Sequence, residues 1–255
     1  MTRLGHLFSE RNQRILNIYF TAGYPNLMDT VPLMKALQDA GADIIELGMP
    51  YSDPLADGPV IQQSSMVALA NGMTIRELMA QLKDFRSSVS LPVILMGYMN
   101  PVMQYGFEKF CADAAAAGVD GLILPDLPEY EYETIYGSVL AQYGLDFIFL
   151  VTPETSEQRI RKLDSLSNGF LYAVSSSSTT GTDKNMDEVS DYLGRLRGMG
   201  LRNPIMAGFG IRDHHTFNAA CKNANGAIIG SAFVKALEGS ADVVKTATAF
   251  VSAIK

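Results

Sequence analysis

The chain has 255 residues, 47% of them hydrophobic, and a formal net charge of −7. That apolar share suffices for a sizeable core, the acidic balance argues against a nucleic-acid partner, and no apolar run is long enough to span a bilayer. The N-terminal residues carry no secretory pattern, and Cys111 and Cys221 stand far apart in sequence. They read as buried thiols rather than a disulfide or metal site, which makes a cytoplasmic, non-membrane protein the expectation.

Short β-branched runs alternate with amphipathic helical patterns along the whole chain. Strands are predicted over residues 16–21, 44–47, 93–98, 121–124, 147–151, 170–175, 204–207 and 226–229. Eight strands separated by helices is the count of a closed (β/α)8 barrel. An open dinucleotide-binding sheet would place a glycine fingerprint after its first strand, where this chain has Thr21-Ala22-Gly23-Tyr24-Pro25. Val31, Met34, Leu37 and Ala40 recur at helical spacing, as do Phe107, Phe110, Cys111 and Ala114, with Gly118 as a stop. Ile160, Leu163 and Leu166 do so behind a Thr155/Ser156 cap. A short N-terminal helix near residues 4–8 is expected to plug the barrel bottom. Extra helices are expected in the loops after strands two and eight. With no linker or composition shift, residues 1–255 read as a single domain.

The stretch 46–59, Glu-Leu-Gly-Met-Pro-Tyr-Ser-Asp-Pro-Leu-Ala-Asp-Gly-Pro, concentrates the chemistry. Strand alternation sets Glu46 with Ile44 and Gly48, opposite Ile45 and Leu47. A glutamate under a covering helix would be prohibitive to bury, so Glu46 is expected to face the axis near the C-terminal mouth, where barrel active sites form. An ion pair with a neighbouring arginine is the competing reading, but no predicted strand offers one. Asp57 reads equally as a functional carboxylate or as an Asx-turn and helix cap, and Asp53 as a loop former. Tyr172, in the sixth strand, is either a mouth residue or a core tyrosine. The 96–100 segment, Met-Gly-Tyr-Met-Asn, suits a pocket lining as well as a barrel interior. His6, His214 and His215 form no triad or metal pattern.

Three glycine-bearing strand ends follow one another: Thr180-Gly181, Gly208-Phe209-Gly210, and Gly230-Ser231. Barrels hold phosphate with the loops after strands seven and eight and a helix N-terminus there. The low basic content also directs any phosphate to backbone N–H groups rather than to a lysine cluster. Simple turn formation is the alternative. Residues 175–178, four serines, read as a closing loop or as an ordinary solvated one.

The 46–59 stretch resembles the signature of the tryptophan synthase α chain family. The resemblance extends over Phe20-Thr21-Ala22-Gly23-Tyr24-Pro25, residues 96–101, Leu124-Pro125-Asp126-Leu127-Pro128, Thr180-Gly181, Gly208-Phe209-Gly210 and Gly230-Ser231-Ala232. It implies a TIM barrel and a lyase that cleaves indole-3-glycerol phosphate to indole and glyceraldehyde 3-phosphate. On the matching positions, it implies Glu46 as the proton-shuttling acid and base, and Asp57 as the acceptor of the indole N–H. Tyr172 would line the site, Gly181, Gly208, Gly210, Gly230 and Ser231 would cradle phosphate, and Thr180 would close near Asp57. The resemblance also implies no cofactor or metal in this chain. A pyridoxal-phosphate β chain would be its partner in an α2β2 assembly, facing the 53–59 loop and the segment around Asn100-Pro101. Ser176 and Ser178 depart from the family, many of whose members carry arginine and glycine there. Another phosphate-binding barrel such as a sugar-phosphate isomerase or decarboxylase, a stand-alone lyase and a non-catalytic activating subunit are the alternatives.

Overall fold

The computed structural model describes residues 2–174 and 186–255. The strands are β1 (Ile15–Thr21), β2 (Ile44–Gly48), β3 (Val93–Met96), β4 (Gly121–Ile123), β5 (Asp146–Phe147), β6 (Leu150–Val151), β7 (Leu171–Val174), β8 (Ile205–Gly208) and β9 (Gly226–Ile229). They pair in the order β5-β4-β3-β2-β1-β9-β8-β7-β6, every ladder parallel. All seven residues of β1 and all five of β2 are buried, as befits strands packed on both faces.

The two ends of that order, β5 and β6, are consecutive in the chain. Ile148 N–H donates to Leu122 C=O at 3.1 Å on one side, and Phe149 C=O accepts from Tyr172 N–H at 3.0 Å on the other. The expected fifth strand, 147–151, is therefore one extended passage split in two, because its first half pairs with β4 and its second half with β7. That passage closes the ring, and the TIM barrel of the sequence reading stands. The expected sixth strand ends at Val174, and Ser175 lies outside the described residues.

Helical periodicity placed the outer layer well. Thr30–Ala40 buries Leu33, Met34 and Leu37. Phe107–Ala117 buries Phe107, Phe110, Cys111 and Ala114, and ends at Gly118. Glu157–Leu166 starts behind Ser156, whose hydroxyl accepts from Arg159 N–H. The additional helices also form: Pro59–Ala70 and Ile75–Gln81 after β2, Ser231–Leu237 and Val243–Ile254 after β9.

The N-terminal helix runs Arg3–Glu10, capped by the Thr2 hydroxyl. It sits under the barrel: Leu4 is fully buried against Gly169, Phe8 meets the Phe170 ring, Thr2 donates to Asp146, and Arg3 pairs with Asp120 at 3.1 Å. Burying one leucine contributes about 2 kcal/mol, so this plug adds to the barrel's own core. With the bottom occupied, the C-terminal ends of the strands are left for chemistry.

Candidate active site

Glu46 has no solvent exposure, and the register sets it level with Tyr19 on β1 and Ile94 on β3. The side-chain amide of Asn17, one inward position lower on β1, donates to Glu46 Oε2 at 2.9 Å. Oε1 has no hydrogen-bond partner among the described residues. Among the described residues no cation pairs with the glutamate, which disfavours the ion-pair reading. Burial pushes the Glu46 pKa up to about 8, the Asn17 hydrogen bond pulls it down, and nearby Asp57 raises it further. At neutral pH the group is mostly an uncharged acid with a free oxygen.

Asp57 is brought over the mouth by a short turn, its N–H bonded to Pro54 C=O at 3.0 Å. The hydroxyl of Tyr98, just past the end of β3, donates to Asp57 Oδ2 at 2.9 Å and accepts from Ala56 N–H at 3.0 Å. One phenol thus stitches the loop after β2 to the neighbouring strand end. Burial raises the Asp57 pKa to about 6, against the lowering effect of the Tyr98 bond. Tyr51 continues the stitching: its ring lies 5.4 Å from that of Tyr98, and its hydroxyl accepts from Asn100 Nδ2 at 2.9 Å. The Asp126 carboxylate accepts from Met99 N–H at 3.0 Å and so fixes the same segment. Asp53 is exposed and accepts from Ser52, as a loop former would.

Two tyrosines roof the interior. A Cβ on Gly48 would fall 2.1 Å from the Tyr19 hydroxyl, and one on Gly208 would fall 2.0 Å from the Tyr172 ring. Both strand ends are glycine because an aromatic ring occupies the space. Ionisation of Tyr172 is opposed by burial and then by Glu46, Asp57 and Tyr19; that of Tyr19 by burial and then chiefly by Asp57. Glu46, Asp57, Tyr19 and Tyr172 therefore lie close enough for each charge to oppose the next, and both phenols stay neutral.

Gly210 has φ +61 with open space around it, and Gly230 precedes the helix Ser231–Leu237, whose first bond runs from Val234 N–H to Gly230 C=O at 3.0 Å. The N–H groups of that first turn have no acceptor within the helix. Gly210 lies just past β8 and Gly230 just past the adjacent β9, where a Cβ on Gly230 would fall 3.3 Å from the Tyr19 ring. Thr180, Gly181 and residues 175–178 lie outside the described residues. Among the described residues no cluster of His, Cys, Asp and Glu suits a metal ion, and no helix is long and apolar enough to cross a membrane.

The structure brings together Glu46, Asp57 and Tyr172, which the sequence singled out, with Tyr98, which it placed only in a candidate pocket lining, and with Asn17, which it missed. Asn17 was legible as a polar residue in an otherwise apolar run, on the same side of β1 as Tyr19. The Tyr98 bond crosses from one strand end to the loop of another, and no local signal announces such a contact.

Fold and mouth together define a barrel with two carboxylates of unlike environment at its C-terminal end, a pairing suited to acid–base chemistry. A family model described as tryptophan synthase alpha chain matches residues 7–254. The tryptophan synthase alpha chain of Parabacteroides distasonis is 49% identical over 256 residues, covering 100% of both chains. That of Flavobacterium johnsoniae is 53% identical over 232 residues, covering 91% of this chain and 92% of its own. Tryptophan synthase subunit alpha from Legionella pneumophila superposes with a TM-score of 0.90 at 34% identity, covering 100% of this chain and 97% of that one. The chain belongs to the tryptophan synthase alpha chain family, and with it has the alpha-subunit role of a lyase in tryptophan biosynthesis.

Proposed function

We propose that this chain cleaves indole-3-glycerol phosphate to indole and D-glyceraldehyde 3-phosphate. The observation that carries the reading is Glu46: a fully buried, largely neutral carboxyl with one unpartnered oxygen, in the field of a second carboxyl that ionises about two pH units lower. Neutral Glu46 gives its proton to indole C3 as general acid, which leaves an indoleninium cation. Ionised Asp57, fixed by Tyr98, accepts the indole N–H and stabilises the positive charge as it develops. The Glu46 carboxylate then takes the proton of the adjacent glycerol hydroxyl. The bond from C3 to the side chain breaks, its electrons return to the ring, and the hydroxyl carbon becomes the aldehyde. Glu46 ends protonated, ready for the next turnover.

Tyr172 lines the indole end, while Gly208, Gly210, Gly230 and Ser231 receive the phosphate through backbone N–H groups and the serine hydroxyl. Thr180 and Gly181 complete the site on this reading. The chemistry uses protons alone, so this chain needs no cofactor. Pyridoxal phosphate belongs to the β chain, with which this chain forms a cytoplasmic α2β2 assembly and to which it passes indole. The test is indole release from indole-3-glycerol phosphate by wild type, Glu46→Gln and Asp57→Asn, with and without a β chain. Loss of release in both variants with retained phosphate affinity supports the proposal; unaltered release in either refutes that residue's role.

A further inference from the structure

We propose that Asn17 is a positioning residue for Glu46: its amide keeps the proton shuttle on a single carboxyl oxygen, Oε1. The inference rests on the acid–base reading of Glu46 given above.

The first observation is the cost of the residue. Asn17 is wholly buried in β1, sharing its side of the strand with Ile15, Tyr19 and Thr21, while Leu16, Ile18 and Phe20 point the other way. Its Nδ2 bonds Glu46, but its Oδ1 has no partner among the described residues. A half-satisfied amide in a barrel interior is unfavourable compared with a well-packed aliphatic residue. Packing alone does not account for asparagine here. Its one bond goes to the group on which the chemistry depends.

The second observation is directional. Oε2 accepts the Asn17 N–H at 2.9 Å, whereas Oε1 has no partner among the described residues. A proton on Oε2 would face a donor, so neutral Glu46 carries its proton on Oε1, the oxygen without a partner among the described residues. Once that proton has gone to the substrate, the same N–H stabilises the carboxylate that remains. Oε1 is then the oxygen free to take the hydroxyl proton. One amide therefore serves both halves of the cycle without moving.

The titratable groups whose charge reaches Glu46 are Asp57 from the loop after β2, Tyr19 from β1 and Tyr172 from β7. Both tyrosines stay neutral across the working range, because burial opposes their ionisation. Among the described residues only Asp57 opposes the Glu46 charge, and Asn17 is the neighbour that favours it.

The experiment replaces Asn17 with leucine, of similar size but without a donor, and in parallel with alanine, which cannot overfill the site. Glu46 is titrated directly by difference infrared spectroscopy of 13C-glutamate-labelled protein, with Glu46→Gln as the subtraction. In both variants the midpoint should rise by about one pH unit, the worth of a hydrogen bond to a charged group. The alkaline limb of kcat for indole release should move with it. kcat should fall ~10- to 100-fold, as for a displaced catalytic group, with KM changed little. An unmoved Glu46 midpoint, or a loss confined to KM or thermal stability, overturns the proposal. If the wild type releases no indole, the reaction reading fails by itself, and the infrared titration still decides whether Asn17 governs the carboxyl.

Discussion

Replacing Tyr98 with phenylalanine removes one oxygen and two hydrogen bonds, the donation to Asp57 Oδ2 at 2.9 Å and the acceptance from Ala56 N–H at 3.0 Å. A bond to a charged group is worth about 1.5–3 kcal/mol when protected from water. Asp57 is half-buried, and water screens the bond to about 1 kcal/mol, or roughly 0.7 of a pH unit. The sign follows from the bond: it favours the carboxylate, so its loss raises the Asp57 pKa above about 6. At pH 6.5 the ionised share would fall from about three quarters to about four tenths. The pH profile of kcat/KM for indole release reports free-enzyme groups, and wild type should show limbs near 6 from Asp57 and near 8 from Glu46. In Tyr98→Phe the acid limb should move towards neutrality while the alkaline limb stays. A uniform loss at every pH would reflect displacement of the 49–58 loop alone. An acid limb that does not move refutes the assignment of Tyr98 as the group that keeps Asp57 ionised.

Glu46→Gln should be more stable than wild type at high pH. The folded-state pKa, about 8, exceeds the ordinary 4.5, so the folded chain holds a proton that the unfolded chain releases, and wild-type stability declines as pH rises through that window. The variant has no such decline, and its advantage should reach a few kcal/mol by pH 9 and vanish near pH 4.5; denaturant unfolding at the two pH values checks it. Gly208→Ala should cost about 1–3 kcal/mol by thermal melting and raise KM, because the new Cβ would lie 2.0 Å from the Tyr172 ring. Full wild-type stability in that variant would show that Tyr172 moves aside freely.

The β–α rhythm was legible because each buried strand is a short apolar run and each covering helix has an apolar stripe. On those grounds alone the helix Phe107–Ala117 was readable, and so was a strand at 93–98, which ends at Met96 because Tyr98 caps the helix Met99–Tyr105. The break at Ile148 and Phe149 was not, since it depends on which neighbour each half of the passage meets. Glu46 was legible because a carboxylate in an apolar strand demands an explanation. Asp57 was ambiguous by spacing: the same residue type caps helices, whereas here Gly58 takes the cap position and the Asp57 carboxylate accepts from Tyr98. Gly208 illustrates a mixed signal, since a glycine expected to approach phosphate also makes room for Tyr172.

The central claim is that a buried Glu46 passes a proton to indole C3 and back from the glycerol hydroxyl. The most direct measurement runs indole-3-glycerol phosphate cleavage in D2O with wild type and Glu46→Gln. The account predicts that wild type releases indole deuterated at C3, and that the variant loses at least about a hundredfold in rate, the usual worth of a general acid–base group. Indole release at an undiminished rate from Glu46→Gln would contradict it.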